Sequence, residues 1–334
     1  MGNNPPVDVQ ELGQSIWYDN ISRDILRNGT LQRLINEDGV MGVTSNPTIF
    51  MKAIASGKAY DAAIATMLDL EAYDIYERLA VEDIQAAADL LMPVYERTGK
   101  RDGYVSLEVS PLLADDTDKT LNEAIRLFQL VDRPNAMIKI PGTLAGLPAI
   151  EDAIAEGVNI NITLIFSVTN YRQVAERYIR GLERRLAAGL PVEGIASVAS
   201  FFVSRIDSRV DQQLQNNIHA AQGRDLERVR LNSELLGTIA IANARMAYQA
   251  FKEIFRGSRF AALREAGAMV QRPLWASTST KNPSYPPTIY VDNLIGSDTV
   301  NTVPPETLLA FKREGTVAPT LDQGIAEART NLEK

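Results

Sequence analysis

A lysine stands in the middle of a short apolar run, Met137-Ile138-Lys139-Ile140-Pro141. A charged amine cannot simply rest in hydrocarbon, so Lys139 must snorkel to water, pair with an anion or give up its proton. The last option is useful chemistry, because a partly desolvated lysine amine is the nucleophile that attacks a carbonyl to form a Schiff base. Glu108, in the β-rich run Tyr104–Val109 (YVSLEV), would relay protons to that amine from a neighbouring strand. The same two residues would also make an ion pair that only holds two strands in register. On Lys139 and Glu108 alone, both readings stand.

Stepping along the chain for short β-rich runs bounded by turn residues predicts strands at Ser15–Asp19, Gly42–Asn46, Tyr104–Val109, Ala136–Pro141, Asn161–Phe166, Ser197–Val203, Pro273–Thr278 and Thr288–Asp292. Helical periodicity fills the intervals at Ile21–Glu37, Ala59–Thr98, Asp118–Val131, Leu144–Glu156, Val168–Ala188 and Asn232–Phe255. This alternation is that of a single α/β (β/α)8 TIM barrel with additional helices. A doubly wound nucleotide fold is disfavoured, since no GxGxxG follows the first strand. One barrel domain is expected over 1–334, with an N-terminal arm at 1–11 and a C-terminal helix at about 321–334. Pro5–Pro6, Pro283–Pro287 and Pro304–Pro305 read as arm and loops rather than linkers.

Side chains alternate faces along a strand, and one parity of a barrel strand points at the barrel axis. One parity here is aliphatic: Val105, Leu107, Ile138, Ile140, Ile162 and Leu164. The other carries Asp19, Thr44 with Asn46, Ser106 with Glu108, Lys139, Asn161 with Thr163, and Ser200. These polar groups would converge inside the barrel near the C-terminal strand ends, where barrel enzymes place their active sites.

Composition narrows the chemistry. The chain has no cysteine, which excludes thiol nucleophiles and Cys-type zinc sites, and its single histidine, His219, lies in the polar stretch NNIHAAQGRD, where it reads as solvated or capping and disfavours a Ser-His-Asp triad and a multi-histidine metal site. No metal and no cofactor is expected. A net charge of −8 disfavours nucleic acid and anionic membranes as partners, but a local basic group could still hold an anionic small molecule. The start, MGNNPPVDVQ, lacks the pattern of a secretory signal, so a cytoplasmic location is the default. Asp115–Asp116 reads as a helix-start charge pair, Arg177–Arg185 as a solvated helix face and Gly142–Gly146 as a turn and helix start.

Two longer segments carry a family resemblance. Gly42–Phe50 (GVTSNPTIF) and Met137–Leu147 (MIKIPGTLAGL) resemble the two transaldolase signatures, the second of which surrounds the Schiff-base lysine. The similarity continues through Trp17-Tyr18-Asp19, Ser106–Val109, Asn159–Ser167 and Ser200–Asp207, and so covers about residues 12 to 325. Trp275–Pro283 and Asp298–Pro304 look most like the branch found in actinobacteria and cyanobacteria. The resemblance implies a class I, Schiff-base transferase of the pentose phosphate pathway. It would move dihydroxyacetone between sedoheptulose 7-phosphate or fructose 6-phosphate and glyceraldehyde 3-phosphate or erythrose 4-phosphate, as a monomer or homodimer.

It also implies roles. Lys139 would attack the donor C2 carbonyl, and Asp19 would act as base and then acid at the C4 hydroxyl. Glu108 with Thr163, through a water, would serve carbinolamine formation and dehydration. Asn46 and Asn161 would hold the dihydroxyacetone carbons, with Thr44 and Ser200 lining the same pocket. For the distal phosphate the candidates are Arg205 after the sixth strand and Lys281 after the seventh, with Ser277 and Ser279. Here the chain departs from the family pattern: an arginine expected near Ser279 is missing, and Lys281 is expected to replace it. Relatives usually continue beyond the last helix, so a C-terminal cover is expected to be short or missing. A related Schiff-base aldolase, a specialised sugar transaldolase of secondary metabolism and a non-catalytic barrel are the competing readings.

Overall fold

In a computed structural model of the chain, which describes residues 4–334, eight parallel strands close on themselves in sequence order. They are β1 Gln14–Tyr18, β2 Gly42–Val43, β3 Tyr104–Glu108, β4 Ala136–Pro141, β5 Ile160–Ile165, β6 Ser197–Phe202, β7 Arg272–Ala276 and β8 Thr299–Val303. β8 returns to β1 with Trp17 opposite Thr302. Helices ring the barrel, so the architecture is the expected (β/α)8 barrel with additional helices. The helix Ile325–Glu333 lies after the last barrel unit, and residues 1–3 of the expected arm lie outside the described residues. Pro5 and Pro6 begin a helical turn, Pro5–Asp8, as suits proline at a first helical turn. Among the described residues no helix is long and apolar enough to cross a membrane.

The strand register explains why the polar parity converges. Glu108 lies opposite Lys139, and Lys139 opposite Asn161, so adjacent strands present the three side by side. The aliphatic parity is buried between strands and helices, with Val105, Ile138, Ile140 and Ile162 fully shielded.

Several expectations need correction. The run Thr288–Asp292 is not a strand but contains a helical turn, Ile289–Asp292. Its β-forming residues are overruled by tertiary contacts: Thr288 donates to the Asp292 carboxylate at 2.8 Å, and the Tyr290 hydroxyl donates to Asp207 at 2.8 Å. The eighth strand is Thr299–Val303. Its central Asn301 is a poor strand former, but here it is buried and accepts from the Thr278 hydroxyl at 2.9 Å.

β2 ends at Val43, well short of Asn46. Asn46 instead caps the helix Pro47–Ser56, accepting from the Ile49 N–H at 3.0 Å with Pro47 in the first turn. Gly42 is required in β2, because a Cβ there would meet the Trp17 indole at 2.6 Å.

In β5 the alternation breaks at Leu164, whose φ of 60° shifts the register between Ile162 and Ile165. Leu164 therefore turns to the barrel mouth and not to the helix layer. Three expected helices are also interrupted, at Asn28–Gly29, between Ile64 and Ala72, and around Gly237. Arg177, Arg180 and Arg184 converge on the buried Glu151, so that face is an ion-pair cluster and not simply solvated.

The N-terminal end of the barrel is closed by a buried ion pair. Arg272 donates to Asp102 at 3.0 Å, to the Ser15 hydroxyl at 2.6 Å and to the Thr299 carbonyl at 2.7 Å. Asp102 also accepts from Trp17 Nε1 at 2.9 Å and from Ser15 at 2.8 Å.

Candidate active site

The opposite, C-terminal end of the barrel opens into a cavity of roughly 930 Å3, within the usual range for small-molecule sites. Every sequence-predicted site residue except Asn161 lines it: Asp19, Thr44, Asn46, Glu108, Lys139, Thr163, Ser200, Arg205, Ser277, Ser279 and Lys281. Asn161 lies directly beneath and is fully buried. Its amide donates to Ser106 Oγ at 3.0 Å and accepts from Ser200 Oγ at 2.6 Å. That three-strand chain fixes which way the amide faces and leaves one of its N–H bonds uncommitted.

Lys139 rises from β4 into the cavity floor with its side chain almost wholly buried. Its ammonium donates to the Ser45 carbonyl at 2.9 Å and lies 3.1 Å from the Glu108 carboxylate. The carbonyl is held in place because Ser45 Oγ donates to the Ser106 carbonyl at 2.6 Å. The amine is thus aimed by backbone and carboxylate together, and its partner is close enough to take a proton directly.

Asp19 follows β1 on another side of the barrel mouth. Its carboxylate accepts from Thr44 Oγ1 at 2.7 Å, and Thr44 in turn lies 2.6 Å from Thr302 Oγ1. Each hydroxyl has a single hydrogen, so the chain runs from Thr302 to Thr44 to Asp19. Burial raises the Asp19 carboxyl above the ordinary range; the Thr44 hydrogen bond and the Lys139 charge oppose the rise, and Glu306 and Glu108 add to it. A carboxyl biased in this way holds its proton more readily, which suits a group that must both take and return one.

The wall made by β6 and β7 is cationic. The Arg205 guanidinium lies over the Phe202 ring at 5.1 Å, and Lys281 Nζ donates to Ser279 Oγ at 2.5 Å. Both face the cavity with no carboxylate in salt-bridge range among the described residues. Ser277, at φ 55°, turns the chain after β7; its carbonyl accepts from the Ser204 N–H at 3.0 Å, and the two hydroxyls lie 3.1 Å apart. An anion entering this end would meet two cations and several hydroxyls.

Sequence reasoning missed Glu306, Asn20, Lys52 and Thr302, all of which line the same cavity. Glu306 and Thr302 were hidden because both depend on the true position of β8. Asn20 and Lys52 carry no signal of their own beyond lying next to Asp19 and on the helix that Asn46 caps.

Comparison with known proteins gives the family. The family described as Transaldolase/Fructose-6-phosphate aldolase matches residues 16–334. Transaldolase 2 of Nostoc sp. is 51% identical over 338 residues, covering 100% of this chain and 88% of the relative. Transaldolase 1 of Streptomyces avermitilis is 49% identical, covering 97% and 84%. The transaldolase of Thermobifida fusca is 47% identical, covering 97% and 86%. The chain belongs to the transaldolase/fructose-6-phosphate aldolase family.

Proposed function

We propose that this protein is a transaldolase of the pentose phosphate pathway that carries dihydroxyacetone on Lys139. The observation that carries the assignment is the pairing of a buried lysine with Glu108 on the floor of a cavity whose mouth holds a second carboxyl, Asp19. Glu108 takes a proton from the ammonium, and the freed amine adds to C2 of the ketose. Loss of water, with proton delivery by Glu108 and Thr163, gives a protonated imine. Asp19 removes the C4 hydroxyl proton, the C3–C4 bond breaks and its electron pair flows into the imine to form a neutral enamine.

The first aldehyde leaves. A second aldehyde is attacked by the enamine carbon, Asp19 returns its proton to the new C4 oxygen, and hydrolysis frees Lys139. The uncommitted N–H groups of Asn46 and Asn161, with Ser200, hold the three-carbon unit meanwhile. Arg205 and Lys281, with Ser277 and Ser279, take the phosphate of donor and acceptor alike. The strands of one closed barrel and the segments that follow them supply all of these roles, so the chain works as one catalytic domain. A cytoplasmic location and a monomeric or homodimeric state complete the reading; the first is supported by a cysteine-free composition, which suits a reducing compartment.

The test is intact-mass spectrometry after borohydride treatment with fructose 6-phosphate. A trapped dihydroxyacetone adduct is expected on the parent protein and not on Lys139→Ala. A folded parent that traps nothing would overturn the imine assignment.

A further inference from the structure

Outside the cavity, the helix Ser204–Ala221 carries two carboxylates that the chemistry above does not use, Asp207 and Asp211. They are four residues apart and therefore share one helix face. Both are buried, with exposures of 1% and 6%. Each takes one tyrosine hydroxyl and one backbone N–H. Asp207 accepts from Tyr290 at 2.8 Å and from Ala240 N at 2.7 Å. Asp211 accepts from Tyr285 at 2.8 Å and from Gly237 N at 3.0 Å.

Burying two like charges one helical turn apart is costly unless each is fully hydrogen-bonded. A loop that only needed anchoring would be served by apolar packing. What distinguishes this place is that it bonds together the two elements that carry the cations of the phosphate wall. Arg205 is two residues before Asp207 on the helix, and Lys281 is on the segment that Tyr285 and Tyr290 tie down.

Past Tyr290 the segment is also fixed by the buried Val291 and by Asp292, whose carboxylate accepts from the Thr316 N–H at 3.1 Å and whose carbonyl accepts from the Thr320 hydroxyl at 2.7 Å, but around Lys281 its bonds are local. Thr280 Oγ1 donates to the Pro286 carbonyl at 3.0 Å, and Lys281 itself reaches only Ser279. The Tyr285 ring lies so close to Gly237 that a Cβ there would meet its Cζ at 2.8 Å, while Gly237 itself sits at φ 70°. A glycine is thus required at the point where the second clamp closes.

We propose that Asp207–Tyr290 and Asp211–Tyr285 form a double carboxylate–tyrosine clamp that sets the spacing of Arg205 and Lys281, making all four positioning residues for a sugar phosphate. This rests on the reading of Arg205 and Lys281 as phosphate ligands. The clamp suits a lysine at this place, because a flexible lysine binds phosphate as a point charge and needs its backbone held.

Tyr285→Phe, Tyr290→Phe and the double variant test it, beside Arg205→Ala and Lys281→Ala. The readouts are KM and kcat for fructose 6-phosphate, competitive inhibition by inorganic phosphate and the melting temperature. Each single Tyr→Phe change is expected to raise KM and the phosphate inhibition constant by about three- to tenfold, the loss of one charge-assisted hydrogen bond. The kcat should stay within about twofold, because nothing at Lys139 changes.

If Arg205→Ala and Lys281→Ala raise KM but the tyrosine variants do not, the clamp proposal is overturned and the phosphate wall stands. If neither cation variant alters KM or phosphate inhibition, the phosphate wall itself is wrong and the clamp falls with it. A drop in melting temperature with KM and kcat both unchanged would make the clamp a purely structural feature, which also overturns the proposal.

Discussion

The barrel holds a buried cation–carboxylate pair at each end, and the two are built to opposite purposes. At the N-terminal end Arg272 and Asp102 are tied to each other and to Ser15, Trp17 and the Thr299 carbonyl, with only the Arg272 Nε of this pair left without a partner among the described residues. At the C-terminal end Lys139 has one carboxylate and one carbonyl, then open cavity. A rigid, always-charged guanidinium suits a permanent plug, whereas a lysine amine can lose its proton and become a nucleophile. Residue choice therefore follows the division of a barrel into a stability face and a chemistry face.

Neutralising the carboxylate at each end should break this comparison in opposite ways. Glu108→Gln is expected to slow imine formation by about 10^2- to 10^4-fold, as for loss of a general acid–base group, with little change in unfolding midpoint. Asp102→Asn leaves a buried arginine without its counter-charge and should destabilise the protein by about 3–5 kcal/mol, with near-normal activity per folded molecule. Stopped-flow trapping with borohydride and urea unfolding of both variants decide it. If Glu108→Gln unfolds the protein while keeping the rate, the C-terminal pair is a strand clasp and not a catalytic one.

Asp19→Asn sharpens the same contrast one step later in the reaction. The Schiff base with fructose 6-phosphate should still form and be trapped on Lys139, while turnover falls by about 10^2-fold or more because no group takes the C4 proton. Full turnover in the Asp19→Asn protein would move the acid–base role elsewhere.

Much of this site could be read before any coordinates because a barrel strand converts period-two alternation directly into an inside and an outside. Lys139, Glu108 and Asn161 were found that way, and register places them side by side. The method fails where the chain leaves ideal strand geometry. Leu164 inverts its face through a positive φ, and Asn46 leaves the strand to cap a helix. Asn301 interrupts the β pattern of Thr299–Val303, and Ile289–Val291 looks better by propensity, but packing decides otherwise. The Arg272–Asp102 plug left no sequence trace, since its partners come from the turn before β3 and from β7, 170 residues apart.

A smaller effect separates the clamp region from both pairs. Burial is the main reason the Asp207 carboxyl rises from 3.8 to about 6, with Asp211 adding to it and the Ala240 and Tyr290 hydrogen bonds opposing it. A raised carboxyl favours the folded state below its unfolded value, and that contribution is lost as pH rises through about 6. Between roughly pH 4 and 7 the parent should therefore lose up to about 3 kcal/mol relative to Asp207→Asn, which has no charge to bury. Urea unfolding of the two proteins across that range measures it, and parallel stability curves would mean that Asp207 ionises as freely in the fold as outside it.

The smallest expected effect concerns Glu306, the cavity carboxylate at the start of the helix Pro305–Glu314. Its negative charge works with burial to raise Asp19, so Glu306→Gln should let Asp19 ionise more easily. The acidic limb of the kcat/KM profile should then move to lower pH, with plateau kcat changed by less than about twofold, since a neighbouring charge tunes a protonation equilibrium without touching the reacting atoms. The shift should vanish in an Asp19→Asn background, where any residual limb belongs to another group. A profile that does not move in the Asp19 protein would place Glu306 with the solvated charges of the rim, and leave burial and Thr44 as the groups that tune Asp19.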